Sequence, residues 1–213
     1  MTKTVIRYAV FDGKEPDNPL FDDELGLTAR TYGGNNRWSV SNIRQWLNSI
    51  GTANEWFTPQ HEYDEAPDTT NIIKDIYVDD SSAYADDPGF LAGFSDEIKH
   101  HFATVRNKTI LCNSDKSPLS KDFEETEDKV FLPSYTEMGF GNLDDNNPEG
   151  SYLAHRFIDD SSRIKTGAYG LYWMRTPIQD YTNSVYCVDD DGRSNLNMPC
   201  VGSQGIAPLI VLC

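Results

Sequence analysis

Apolar positions along the chain fall into short clusters separated by long polar stretches, and their period changes midway. In NRWSVSNIRQWLNS (36–49) and just beyond it, Val40, Ile43, Leu47 and Ile50 recur at helical spacing with Trp46 beside them, which predicts a helix. Ser39 or Ser41 is suited to cap its start and Gly51 to end it. In DPGFLAGFSDEIKHHFATV (87–105), Phe90, Phe94, Ile98 and Phe102 stand at steps of four. Pro88 suits a first helical position there, and Ser95 can cap a second segment after Gly93. KVFLPS (129–134) reads as a buried strand stopped by Pro133, and TVIRYAVF (4–11) as a short strand. From Tyr169 onward, YGLYWMRTP, SVYCVDDDG and GIAPLIVLC predict three or four strands. Asp189–Gly192 is expected to turn a hairpin between two of them, because Asp-Gly accepts positive φ. Helices in the first half and strands in the second, without alternation, indicate an α+β chain.

Composition adds limits to this outline. With 38% hydrophobic but 12% aromatic residues, the core is expected to rest on Tyr, Phe and Trp, with much of the chain in polar loops. No repeat and no linker rich in Pro, Gly or Ser interrupts residues 1–213, so one domain is expected. A net charge of −16 without any basic stripe argues against a nucleic-acid surface and against anionic membranes. No apolar run approaches the roughly 20 residues of a spanning helix. The start, MTKTVIRYAVFDG, lacks the apolar region of a secretory signal, so synthesis in a cytoplasm without export is expected. A virion protein fits this, because it leaves the cell by lysis. Cys112, Cys187, Cys200 and Cys213 show no metal spacing; buried free thiols are expected, with a Cys187–Cys200 bridge as the alternative.

The familiar chemical motifs are missing. Neither GxGxxG nor GxxxxGK[ST] occurs, VGSQG (201–205) misses the nucleophile-elbow spacing, and His61, His100, His101 and His155 offer no i, i+4 pair to a metal. An EF-hand register fails around Gly192 at Cys187 and Met198, and around Gly150 at Arg156. No cofactor is therefore expected. An irregular Ca²⁺ site in LDDNNPEG (143–150) stays open beside plain loop chemistry. Among 34 acidic residues, no catalytic carboxylate pair stands out.

Five segments in order carry a resemblance: SNIRQWLNS (41–49), GFLAGFSDEIK (89–99), DKVFLPSYTEMG (128–139), YWMRTP (172–177) and GIAPLIVL (205–212). The chain resembles a family of bacterial and phage proteins named only as a domain of unknown function, whose members carry SxIRxWLN, DKVFLLSxxE, YWLRSP and GVRPAL. No single segment is specific; the set, spanning 36–212, is. The resemblance implies a relationship to C-type-lectin-like folds, including the formylglycine-generating and phage variable-protein branches. In such folds the terminal strands meet, so residues 4–11 are expected to pair with 206–212. Ala207 stands where relatives have Arg in GVRPAL, which removes any arginine-dependent role at that position.

The resemblance implies that Trp38, Arg44, Trp46, Trp173 and Arg175 are structural anchors, the arginines tying carbonyls or carboxylates through the guanidinium fork. Partner contacts are expected in the polar segments 54–80 and 140–151, through Trp56, Phe57, His61, Tyr63 and Tyr77. The expected function is a non-enzymatic virion module, such as a head decoration, fibre or tail-associated protein. It would bind a neighbouring virion protein or a host-surface glycan, and a homo-oligomer fits the same reading. The alternatives are an enzyme of the formylglycine-generating type, which would need a thiol pair, and an intracellular scaffold.

Overall fold

The computed structural model describes residues 36–53, 55–58, 87–116, 122–153, 157–164, 171–181, 184–199 and 205–213. The strand expected at 4–11, and with it the pairing of the two ends, lies outside them. Ser41, in extended backbone, opens α1 (Asn42–Leu47) by accepting the Arg44 N–H on its Oγ at 3.4 Å. Ile43 and Leu47 are fully buried, whereas Ile50 lies beyond the helix and is 65% exposed. The helix stops at Asn48, before Gly51 is reached. Asn48 Nδ2 donates to the Arg44 carbonyl at 3.0 Å and to the Val130 carbonyl at 2.8 Å, while its Oδ1 accepts the Lys129 and Val130 N–H groups. One side-chain amide thus replaces a neighbouring strand.

The four-step apolar series of 90–102 does not make one helix. Phe90–Gly93 is a single 3₁₀ turn and Asp96–His100 forms α2, split by Ser95, whose Oγ caps the second piece through the Ile98 N–H. Pro88 stays outside both, its carbonyl accepting Trp46 Nε1 at 3.0 Å. Phe90, Phe94 and Phe102 still stack in sequence, with ring centroids 5.3 and 5.2 Å apart, and Trp46 meets Phe90 at 5.4 Å. Ile98 points outward.

A hairpin follows that the apolar pattern does not show: β1 (Val105–Ile110) pairs antiparallel with β2 (Phe123–Asp128), Val105 facing Asp128. Next come β3 (Val130–Phe131) and α3 (Asp160–Arg163), the latter closed by a capping box between Asp159 and Ser162. The strands β4 (Tyr172–Pro177), β5 (Ser184–Val188), β6 (Ser194–Pro199), β7 (Gly205–Ile206) and β8 (Leu209–Ile210) complete the described elements. Four of them form a sheet of order β6-β5-β4-β7, antiparallel except at β4–β7, and β8 pairs antiparallel with β3. The chain is α+β, with few short helices and strands mostly in the second half. All six positions of β4 and all five of β5 are buried, so both faces of these strands are covered, polar Arg175, Thr176 and Ser184 included. Trp38, Ile43, Leu47, Val130, Met138, Trp173 and Val185 meet in one continuous core.

The β5–β6 turn forms as the Asp-Gly dipeptide predicts. Gly192 takes φ +79°, and the Asp189 carboxylate accepts the N–H groups of Asp191 and Arg193. Glycine is required twice over here, since a Cβ would lie 1.9 Å from the Asp160 carbonyl oxygen of α3. Gly192→Ala should therefore cost about 2–3 kcal/mol through left-handed strain and displaced backbone. In a thermal melt that is a fall of several degrees; an unchanged midpoint would contradict the turn geometry.

Candidate functional site

Strand β4 carries a fully buried arginine, and the surrounding loops are built onto it. Arg175 Nη1 donates to the Leu132 carbonyl at 2.7 Å and to Glu137 Oε2 at 2.6 Å. Its Nη2 donates to Glu137 Oε1 at 2.8 Å, the Glu149 carbonyl at 3.1 Å and the Lys108 carbonyl at 3.4 Å. The guanidinium fork is thus bidentate on Glu137 and collects three carbonyls from distant stretches of chain. Burial opposes the charge on Arg175, but Glu137, then Glu149 and Asp128, outweigh it and hold its pKa above the ordinary value.

Glu149 turns its side chain inward beside this pair. Its Oε1 accepts the Ile110 N–H at 3.0 Å and its Oε2 accepts the Thr176 hydroxyl at 2.6 Å. Thr176 Oγ1 in turn accepts the Tyr135 N–H at 2.9 Å. Burial pushes the Glu149 carboxyl up to about 7, against the pull of Arg175 and of its hydrogen bonds. Ser134 completes the base: its hydroxyl donates to the Glu149 carbonyl at 2.9 Å and its N–H to Glu137 Oε2 at 2.9 Å.

On this base stands the loop from Gly139 to Tyr152, which walls an open hollow of about 430 Å³. The lining is Thr136, Gly139, Gly141, Asn142, Pro148, Gly150, Ser151 and Tyr152. Gly139, at φ +83°, lies flat against the Tyr152 ring, where a Cβ would come within 2.3 Å of Cε2. Tyr152 Oη donates to the Phe157 carbonyl, which fixes the ring while 44% of the residue stays exposed. Buried Arg163 of α3 supports the same wall, its Nε donating to the Met138 carbonyl at 2.7 Å and its guanidinium lying 4.5 Å from the Phe140 ring centre. Tyr172 Oη donates to the Arg163 carbonyl at 2.7 Å, linking the wall to β4.

Residues 15–213, which include the Arg175 base and the loop it carries, match the family described as Domain of unknown function (DUF6273). The chain belongs to that family. No curated protein and no solved structure matches it.

Within this DUF6273 chain the anchor candidates occupy two polar hubs and the core between them. Asp128 is the second hub: it accepts Trp38 Nε1 at 3.1 Å, Arg44 Nε at 2.7 Å, Asn107 Nδ2 at 3.0 Å and the Thr126 hydroxyl at 2.7 Å. Trp46 hydrogen-bonds Pro88, and Trp173 is fully buried. The partner-contact candidates fare differently. Trp56 is 5% exposed and packs in the core, so it offers no ring to a partner; Phe57 is half-buried against it at 6.1 Å. His61, Tyr63 and Tyr77 lie outside the described residues.

Sequence reasoning missed Glu137, Glu149, Asp128, Asn48 and Thr176. Asp128 and Glu137 lay in plain view in DKVFLPSYTEMG, and Asn48 in SNIRQWLNS, but nothing in the pattern marks them as buried. Glu149 lay in the stretch weighed for Ca²⁺. In that segment Asp144 Oδ1 accepts the Asn146 N–H, Oδ2 accepts Asn147 Nδ2, and Glu149 is directed into the core. Among the described residues no group of three or more His, Cys, Asp or Glu is placed to hold a metal ion. Cys187 carries a free thiol and not the bridge to Cys200; burial, with Asp189 nearby, pushes it up to about 12. Cys112 is buried with its Sγ 2.9 Å from Asp115 Oδ2. Among the described residues no helix is long and apolar enough to cross a membrane.

Proposed function

We propose that the protein is a non-enzymatic binding module of a phage particle, built on a C-type-lectin-like scaffold, that recognises its partner through the 139–152 loop. The observation that carries this reading is the rigid base under that loop. Of the five hydrogen bonds from one buried guanidinium, the one to the Glu149 carbonyl reaches the loop; Ser134, Thr176 and the Ile110 N–H join it there and pin a turn-rich segment that has no regular secondary structure of its own. Recognition loops held by a rigid scaffold are the usual way a small fold binds. The buried carboxyls and the Cys187 thiol are committed elsewhere; Glu149, which titrates at about 7, is bound to the Ile110 N–H and the Thr176 hydroxyl. Glu137 and Asp128 serve as buried acceptors, and the Cys187 thiol is kept far from its reactive thiolate. An enzyme of the formylglycine-generating type needs a reactive thiol pair, which this arrangement disfavours.

Mass spectrometry of gradient-purified particles tests the proposal. The protein should be present in stoichiometric amount after nuclease and salt washes. A protein absent from particles, and turning over a substrate at a defined thiol or carboxylate, would overturn it.

A further inference from the structure

Resting on that reading, we infer that the occupant of the hollow is an uncharged pyranose sugar of a host-surface glycan, stacked on Tyr152. Among the described residues the lining contains no carboxylate and no cationic side chain, in a chain of net charge −16. An anionic sugar would find no counter-charge among the described lining residues and a protein of net negative charge around it. A cationic peptide would find no carboxylate among the described lining residues; of those close by, Glu137 is taken up by Arg175 and Asp144 by Asn146 and Asn147.

The polar groups that are present suit sugar hydroxyls. Among the described residues, the side chains of Thr136, Asn142 and Ser151 make no hydrogen bond within the protein. The two hydroxyls can each donate and accept, and the amide offers both a carbonyl and an NH₂. Tyr152 supplies the complementary surface, since its ring is half exposed and held from behind by Gly139 and the bond to Phe157. A fixed aromatic ring presents a flat apolar face without a further ordering cost on binding. A hollow of about 430 Å³ lies in the range, about 300–1,000 Å³, of small-ligand sites, and an extended peptide would need a free sheet edge or an apolar groove that turns do not supply.

The experiment is saturation-transfer NMR and calorimetry on the full chain with defined oligosaccharides: maltotriose, lactose and chitotriose as neutral probes, sialyllactose as the anionic one. At least one neutral probe should bind through its ring protons, sialyllactose should not gain from its charge, and Tyr152→Ala should weaken binding about tenfold. Tyr152→Phe, which keeps the ring, should stay within about threefold. Should Tyr152→Ala be unfolded at the assay temperature, Asn142→Ala and Ser151→Ala are measured instead, with losses of about threefold to tenfold expected. Binding of no neutral probe by folded wild-type protein would overturn the sugar assignment, as would undiminished binding by the folded lining variants. The same variants incorporated into particles separate the two readings. If they impair assembly or host adsorption while no sugar binds, the loop is the binding surface and the occupant is wrong; if they impair neither, the loop reading falls too.

Discussion

Arg175→Ala should lower the unfolding free energy by about 3–5 kcal/mol, the range for breaking a buried ion pair by removing one partner. The loss combines an uncompensated Glu137 carboxylate, orphaned carbonyls at Leu132 and Glu149, and a cavity where a fully buried side chain had been. For a domain whose stability is typically about 5–15 kcal/mol, that is enough to unfold much of the protein near physiological temperature. Arg175→Lys should recover little, because an ammonium cannot be bidentate on Glu137 and reach both carbonyls. Adding Glu137→Gln to Arg175→Met should restore part of the loss by removing the stranded charge. Urea unfolding of the three variants checks this. An Arg175→Ala protein with unchanged midpoint and lost binding would instead place the arginine in recognition.

Stability should also fall as pH rises from about 5 to 8, with Glu149 as the main source. Its carboxyl titrates at about 7 in the folded protein and near the ordinary 4.5 when unfolded, so the folded state holds the proton more tightly. The contribution is complete below about pH 4.5 and is lost as pH rises through 7. A gap of about 2.5 units at about 1.4 kcal/mol each amounts to roughly 3 kcal/mol. Asp96, Asp144 and Asp159 are held below the usual aspartate value, chiefly by side-chain hydrogen bonds, so their opposite contributions act below about pH 4 and do not mask the effect. Glu149→Gln keeps the shape and removes the charge. It should flatten the slope between pH 5 and 8 and be at least as stable as wild type at pH 8. Parallel slopes for the two proteins would show that another group is responsible.

Elements with apolar spacing and a clear cap were legible in the sequence. Ser41, Ile43 and Leu47 mark α1, Ser95 marks α2, and the β-branched and aromatic runs mark β4 and β5. The β1–β2 hairpin was not, because its inward positions include Asn107, Thr109, Thr126 and Asp128, polar residues that ordinarily signal a solvent face. The burial of Asn107 and Asp128 depends on partners 21 and 90 positions away, which periodicity does not register. Trp56 misled for the converse reason. An aromatic among polar neighbours looks exposed, yet the chain folds back so closely that a Cβ on Gly51 would lie 3.0 Å from the Trp56 Cα. At the site, Arg175 was legible as a motif residue. Its acidic partners were not, since any of 34 carboxylates could have been the buried ones.

The dependence of α1 on Asp128 and on Asn48's bonds to Val130 has a kinetic meaning. A six-residue helix is far below the roughly 12–15 residues at which an isolated helix becomes marginally stable in water. Its polar anchors on Asp128 and Val130 lie 80 to 90 positions further along the chain, and Trp46 finds a nearer partner, the Pro88 carbonyl 42 positions on. SNIRQWLNS (41–49) therefore cannot seed folding. During synthesis it must wait, still unstructured, until the β1–β2 hairpin and Val130 have left the ribosome and a loop of that length has closed.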